Sequence, residues 1–123
     1  MNLIELQSVL LGFGLPLAYI EFPEESSPEL PFIVFLDHVP GDGGIYGEHK
    51  DIKADNKNYV RSRLIRVELY TDSHHESALH GIQLAEGLED HMTEHGILWD
   101  YEGKAKVEAE KMHMTAWTIN LMY

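Results

Sequence analysis

The sequence predicts an α+β domain: a twisted, mostly antiparallel sheet of about five strands with two helices packed on one face. Three observations predict it. Segments 2–12 and 73–95 repeat apolar residues at helical spacing. Five other segments are rich in β-branched and aromatic residues or alternate with a period of two. Their order along the chain is helix, three strands, helix, two strands.

In NLIELQSVLLG, residues 2–12, Leu3, Ile4, Leu6, Leu10 and Leu11 lie near helical spacing. Asn2 can cap the start, and Gly12 or Gly14 can end it. Pro16 then imposes an extended conformation on its neighbours. LAYIEF, residues 17–22, follows as a strand, and PEESSPEL, residues 23–30, as a polar, turn-rich loop. PFIVFLDHV, residues 31–39, reads as a central strand that Pro40 ends.

Residues 40–58, PGDGGIYGEHKDIKADNKN, hold four of the ten glycines. They read as a long protruding loop, either a functional loop or the tip of a hairpin. In YVRSRLIRVELYT, residues 59–71, Leu64, Arg66, Glu68 and Tyr70 share one parity. Arg63, Ile65, Val67 and Leu69 share the other, so one face is mostly buried. Ser73 and Glu76 form S-x-x-E, a capping box that would open a helix running to His95, with Gly96 just past its end. On a helical wheel Ala78, Leu79, Ile82, Ala85, Leu88 and Met92 form the face that must meet the sheet. ILWDYEG, residues 97–103, gives a short strand and a turn at Gly103. KVEAEKMHMTAWTINLMY, residues 106–123, is ambiguous at its start and a strand at its end, with Trp117, Ile119 and Leu121 toward the core.

The 123 residues fit one domain, 1–123, and a hydrophobic fraction of 44% is that of a folded chain. Without cysteine there are no disulfides, thiolate nucleophiles or Cys-based metal sites. No apolar run approaches the ~20 residues that span a bilayer. The first 17 residues contain no Lys or Arg, so no secretory signal is expected. Twenty-one acidic residues face nine basic ones, a net charge of -12. Cationic side chains supply most of the affinity for phosphates, so binding to nucleic acid or to anionic membranes is not expected. The acidity reads first as solubility.

Residues 91–97, HMTEHGI, raise the question of a metal. His91, Glu94 and His95 fit H-x-x-E-H, and histidines four apart on a helix can ligate zinc. A catalytic site also needs a third ligand, here His113, His38 or an acid on the last strand, and no spacing singles one out. The wheel puts His91 and His95 at the edge of the apolar face, with His80 beside them, and turns Glu94 into the polar face. A histidine in a last helical turn has a simpler use, because a cationic ring favours the helix C-terminus. The reading preferred is therefore a helix end, with His91 and His95 as the residues that would hold a metal if one binds. His74 and His75, beside Asp72 and Glu76, read as a solvated first turn rather than a transition-metal site. His113, near Trp117 on a strand, reads as a buried, hydrogen-bonded histidine.

No G-x-S-x-G, no G-x-x-x-x-G-K-[ST] and no dinucleotide fingerprint occurs. GDGG at 41–44 opens no helix, so it makes a poor phosphate cradle. Acidic pairs such as Glu24–Glu25 and Glu89–Asp90 read as solvated surface. No catalytic constellation emerges, and no cofactor is implied.

Several segments, taken in order, resemble a family. They are GLPLAYIEFPEESSPELPFIVFL (14–36), ADNKNYVRSRLIRVELYTD (54–72), EHGILWD (94–100) and EAEKMHMTAWTINL (108–121). Together they resemble the small tail-completion proteins of long-tailed bacteriophages and prophages, of the tail-terminator or head-to-tail joining kind. The resemblance spans residues 14–121 and rests on several moderate matches rather than one motif. The glycine-rich GDGGIYGEHKDIK departs from the family pattern, and HMTEH belongs to it only through its Glu-His-Gly end.

The resemblance implies a small α+β subunit without catalytic residues, one that forms a ring, often hexameric, at the top of the tail tube. Its partners would be further copies of itself and the tail-tube and head-completion proteins. Its location would be the virion, and the bacterial cytoplasm during assembly. Within 40–58, the interface candidates are Gly43, Ile45, Tyr46, His49 and Ile52. Two alternatives come from other classes: a metal-dependent hydrolase using His91, Glu94 and His95, and a small acidic binding domain.

Overall fold

One long strand organises the molecule. In the computed structural model the described residues are 1–22, 28–37, 49–54, 57–74, 78–107 and 111–122, with the backbone alone described over 49–62. The elements are α1 (Leu3–Leu11), β1 (Leu17–Tyr19), β2 (Phe32–Asp37), β3 (His49–Ala54), β4 (Lys57–Asp72), α2 (Ala78–Glu94), β5 (Trp99–Val107) and β6 (Met112–Met122). They form the expected α+β fold. Five strands run in the order β1-β2-β4-β6-β5, and β3 pairs with β4 off this path. All pairs are antiparallel except β1 with β2.

The alternation in β4 decides what is buried. Ile65, Val67 and Leu69 are fully buried and pair with Ile119, Trp117 and Thr115 of β6. Ile33 and Phe35 of β2 continue the same face opposite Leu69 and Val67. Leu6 and Leu10 of α1 and Leu88 and Met92 of α2 close the core over it. Burying each large apolar side chain of this set contributes roughly 1.5–3 kcal/mol, so this layer is the main source of stability. Trp117 is inside as well, its indole N–H donating to Glu89 Oε2 of α2 at 2.9 Å.

α1 starts as its sequence dictates. Asn2 Oδ1 accepts from the Glu5 N–H at 2.8 Å, and Glu5 returns a bond to the Asn2 N–H, which completes a capping box. Two backbone bonds are described just before α2. Ser73 and His74 precede the helix, the Ser73 N–H bonds the Lys111 carbonyl, and Asp72 Oδ1 accepts from the His74 N–H. Ser73 therefore lies beside a turn closed by Asp72, and the S-x-x-E match falls partly on residues outside those described. Glu76 and His75 lie outside the described residues.

The buried face of α2 is also rotated from the predicted one. Gly81, Leu88 and Met92 are buried with Leu84 and Ala85 partly so, whereas Leu79 is 75% exposed and Ile82 42%. Gly81 explains the rotation. A Cβ built there would lie 2.9 Å from Thr71 Oγ1, so the glycine is what lets helix and strand approach. A hydrophobicity wheel gives glycine no weight and misses the contact.

Two strand boundaries also differ. Gly103 is not a turn. The strand runs through it to Val107, with a register shift between Tyr101 and Gly103 and φ +150 at the glycine. This is a β-bulge, a usual reason for glycine inside a strand. Part of the region predicted as a loop at 40–58 is a strand pair: His49–Ala54 runs antiparallel to the start of β4, with a shift between Ile52 and Lys53. Residues 40–48, 55 and 56 lie outside the described residues.

Candidate functional site

The end of α2 answers the metal question in terms of bonds. Gly96 has φ +74, the left-handed conformation that glycine adopts without strain. Its N–H bonds the Thr93 carbonyl, and the Ile97 N–H bonds the Met92 carbonyl, at 3.0 and 2.9 Å. That pair of bonds is the Schellman motif, and buried Ile97 and Met92 make its apolar contact. His91 Nε2 donates to the Val9 carbonyl at 2.7 Å, which joins α2 to the last turn of α1, and its ring packs on Phe13. His95 Nδ1 donates to the His91 carbonyl at 2.9 Å. The two rings lie 4.5 Å apart between centroids.

The other ligand candidates do not converge on this pair. Glu94 is exposed on the outer side of α2. His113 pairs with Thr71 and Lys106, whereas Trp99, just after the helix end, pairs with Ile119. Six residues of strand between those levels amount to about 20 Å. Burial, then the positive charges of Lys104 and Lys106, lower the His113 pKa and favour its neutral ring. His80 sits at the other end of α2, lining a cavity of about 160 Å³ with Thr71 and Asp72. The last strand, Met112–Met122, contains no acid, and His38 lies outside the described residues. Among the described residues no three His, Asp or Glu side chains cluster as metal ligands.

Two polar clusters were not anticipated. The first lies where β2 ends. Asp37 is 3% exposed, and Arg63 Nε and Nη2 both donate to its carboxylate, the Nη2 bond being 3.2 Å. The Tyr19 hydroxyl donates to Oδ2 of the same group. Burial, then the bond to Asp37 and its charge, push the Tyr19 pKa up to about 12, with Arg63 opposing. The cluster ties β1, β2 and β4 together at the level where β4 leaves the body. A sequence signal for it existed: Asp37 and Arg63 are opposite charges, each on the apolar parity of its own strand.

The second cluster lies on the face of the sheet away from the helices. Arg66 Nη1 is 3.2 Å from Glu102 Oε2, and Thr118 also donates to Glu102. Arg66 Nε lies 2.9 Å from Glu68 Oε2 but off the line of its N–H, so that contact is an ion pair without a hydrogen bond. Tyr70 donates to Glu68 Oε1 at 2.9 Å, and burial and the Glu68 charge raise its pKa. A shallow groove of about 250 Å³ opens beside Arg66 over Gly103, Ala105 and Ala116. Arg66 thus faces both carboxylates of the cluster, Glu68 and Glu102.

Of the interface candidates, Gly43, Ile45 and Tyr46 lie outside the described residues. His49 and Ile52 fall on β3, opposite Arg63 and Val60. β4 is paired with β6 only from Ser62 onward and with β2 only from Ile65. Its first five residues, with β3, therefore prolong the sheet as a two-stranded arm of about 16 Å. At the far edge, the nine residues of β5 pair with β6 alone among the described strands. No helix among the described residues is long and apolar enough to cross a membrane. No protein-family model and no curated protein matches the chain.

Proposed function

We propose that this protein is a structural subunit of the tail of a long-tailed bacteriophage or prophage, acting in tail completion, tail termination or head–tail joining. It works by assembling into a ring and carries out no catalysis. The observation that carries this reading is the pair of different edges on one sheet, β1 at one end and β5 at the other, each with a single partner among the described strands. Unlike edges that meet head to tail make a heterologous contact, the kind that closes into rings. Exposed Leu98 and Tyr101 flank the regular start of β5, while Lys104, Lys106 and the bulge restrict which strand can add to the rest.

The segment-by-segment resemblance over residues 14–121 supports the same reading. So does the charge: an acidic ring repels the DNA that passes through it, which favours sliding over sticking. Sedimentation at rising concentration, with electron microscopy of the largest species, tests it. Closed rings that bind tail-tube protein are the expected result. A monomer at high concentration that binds no tail protein overturns it. Portal, capsid and tail-tube genes beside this one would be independent support.

A further inference from the structure

Among the described residues the end of α2 lacks the third ligand of a catalytic zinc. His91 and His95 nevertheless share a feature that stopping a helix does not require. His91 Nε2 lies 2.7 Å from the Val9 carbonyl, and His95 Nδ1 lies 2.9 Å from the His91 carbonyl. A carbonyl oxygen only accepts, so each of these nitrogens carries the proton of its neutral ring. The other nitrogen of each ring, Nδ1 of His91 and Nε2 of His95, is left with a lone pair. Histidines that ligate metals are held in this way: one ring N–H is tied to a carbonyl or carboxylate, and the other nitrogen meets the ion.

The spacing of the rings suits a shared ion. Their centroids are 4.5 Å apart and their planes are tilted by 51°. Zn–N bonds of about 2.0–2.1 Å put the centroids of two imidazoles on one tetrahedral zinc about 5 Å apart, close to the separation seen. His91 is the fixed member, half-buried, bonded to α1 and packed on Phe13. His95 is exposed, so its ring can adjust and water can reach an ion held there.

The field at this place also favours a cation. His91 lies in the last turn of α2 and bonds a carbonyl in the last turn of α1, so two helix C-termini meet at one ring. Each carries partial negative charge. The last turn of α1 has no basic residue and that of α2 has only His91. A net charge of -12 raises the concentration of cations around the whole molecule.

We propose that His91 Nδ1 and His95 Nε2 chelate one divalent transition-metal ion of the zinc type at the junction of α1 and α2, with water in its remaining positions. Imidazole suits zinc, nickel and copper, whereas magnesium and calcium take oxygen ligands. The ion has a structural use: it needs the helical spacing of the two rings, so it binds the folded chain and stabilises the end of α2 against α1. Every group of the site belongs to one copy, so it stands whether or not the chain assembles into a tail.

The test uses the full chain, purified without a histidine tag and stripped of metal by a chelator. Zinc chloride is titrated in a calorimeter, with magnesium chloride as a second arm. One zinc per chain and no binding of magnesium are expected. His95→Ala should weaken zinc binding at least tenfold. His91→Gln keeps an N–H that can reach the Val9 carbonyl, and should weaken it as much. The double variant should lose little more than either single one, because a chelate is lost with either ring. His80→Ala, at the other end of α2, should bind as wild type does, and circular dichroism checks that each variant is folded. Nitrogen NMR of the histidine rings should show zinc moving His91 Nδ1 and His95 Nε2. Zinc binding that survives both substitutions, or that moves His74 or His80 instead, means an adventitious ion only and overturns the proposal. So does magnesium bound as tightly as zinc, or no zinc binding at millimolar concentration.

Discussion

β4 divides into two parts that obey different rules. From Ile65 to Tyr70 it lies between β2 and β6, with every second residue buried beneath the helices. From Lys57 to Arg61 it has β3 on one side and neither β2 nor β6 on the other. The first part is apolar and holds the fold together. The second, KNYVR, carries two basic residues and no acid. A continuous strand can therefore serve as both scaffold and reach, and the Asp37–Arg63–Tyr19 cluster marks where one becomes the other.

If that division is right, the largest effects belong to the body. Leu69 is fully buried between Ile33 and Thr115 on the core face. Leu69→Ala should cost about 3 kcal/mol, the sum of lost transfer energy and the cavity left behind. Urea unfolding monitored by tryptophan fluorescence reads it. A cost near zero would mean that the body half of β4 is not the core.

The junction comes next. Asp37→Ala leaves the Arg63 guanidinium without its carboxylate and the Tyr19 hydroxyl without its acceptor. The penalty for breaking a fully buried pair is reduced here, because the Arg63 side chain is 23% exposed and water reaches it. About 2 kcal/mol is expected in the same urea measurement. A second readout separates junction from body: hydrogen exchange should quicken at residues 58–63 more than at 65–70. Equal quickening in both halves would erase the boundary.

The sequence made the body half of β4 legible and the arm half not, for a physical reason. Burial on one face writes a period of two into the residues, as Ile65, Val67 and Leu69 show, and β6 repeats it at Trp117, Ile119 and Leu121. The six residues of β3, HKDIKA, include only two apolar ones, too few to write that pattern. HKDIKA therefore resembles a loop until its pairing is seen, and the slip between Ile52 and Lys53 blurs the parity further. Glycine hid two other features. Gly81 is a contact that a hydrophobic wheel cannot weigh, and Gly103 is a bulge that looks like a turn. The end of α2 was readable because Gly96 and the flanking Met92 and Ile97 carry a motif whose parts all lie close in sequence. The Asp37 cluster joins strands 18 and 26 residues apart, and only the misplaced parity of its charges announced it.

Gly81 tests the body half from the helix side. In Gly81→Ala the new methyl would meet Thr71 at 2.9 Å from Oγ1 and 3.1 Å from Cβ. Thr71 is buried and β-branched, so it has little room to yield. Overpacking costs typically 1–3 kcal/mol and the gain in helix propensity returns up to about 1, so a net loss of about 1 kcal/mol is expected. A stabilised Gly81→Ala protein would show that α2 and β4 are not in close contact.

Tyr19 gives a smaller effect that depends on pH. Its folded pKa is raised to about 12 from an ordinary value of 10.0. The stability it contributes is therefore complete below pH 10 and is lost as pH rises toward 12. The side chain is 39% exposed, so solvent screening cuts the effect to about 1 kcal/mol or less. Wild type should lose this increment between pH 9 and pH 11.5 in urea unfolding, and Tyr19→Phe should not. Parallel losses in the two proteins would detach Tyr19 from the junction.

The arm half should give the smallest change of all. Lys57 stands at the outer end of β4, opposite Ala54, and neither β2 nor β6 reaches its other side. A polar substitution at a strand end, away from helix caps, shifts stability by about 0.5 kcal/mol or less. Lys57→Ala should therefore unfold at the same urea concentration as wild type. The body variants should lower the urea midpoint. If Lys57→Ala instead lowered the midpoint by as much as Gly81→Ala, the start of β4 would be part of the core, and the division of the strand into scaffold and arm would fail.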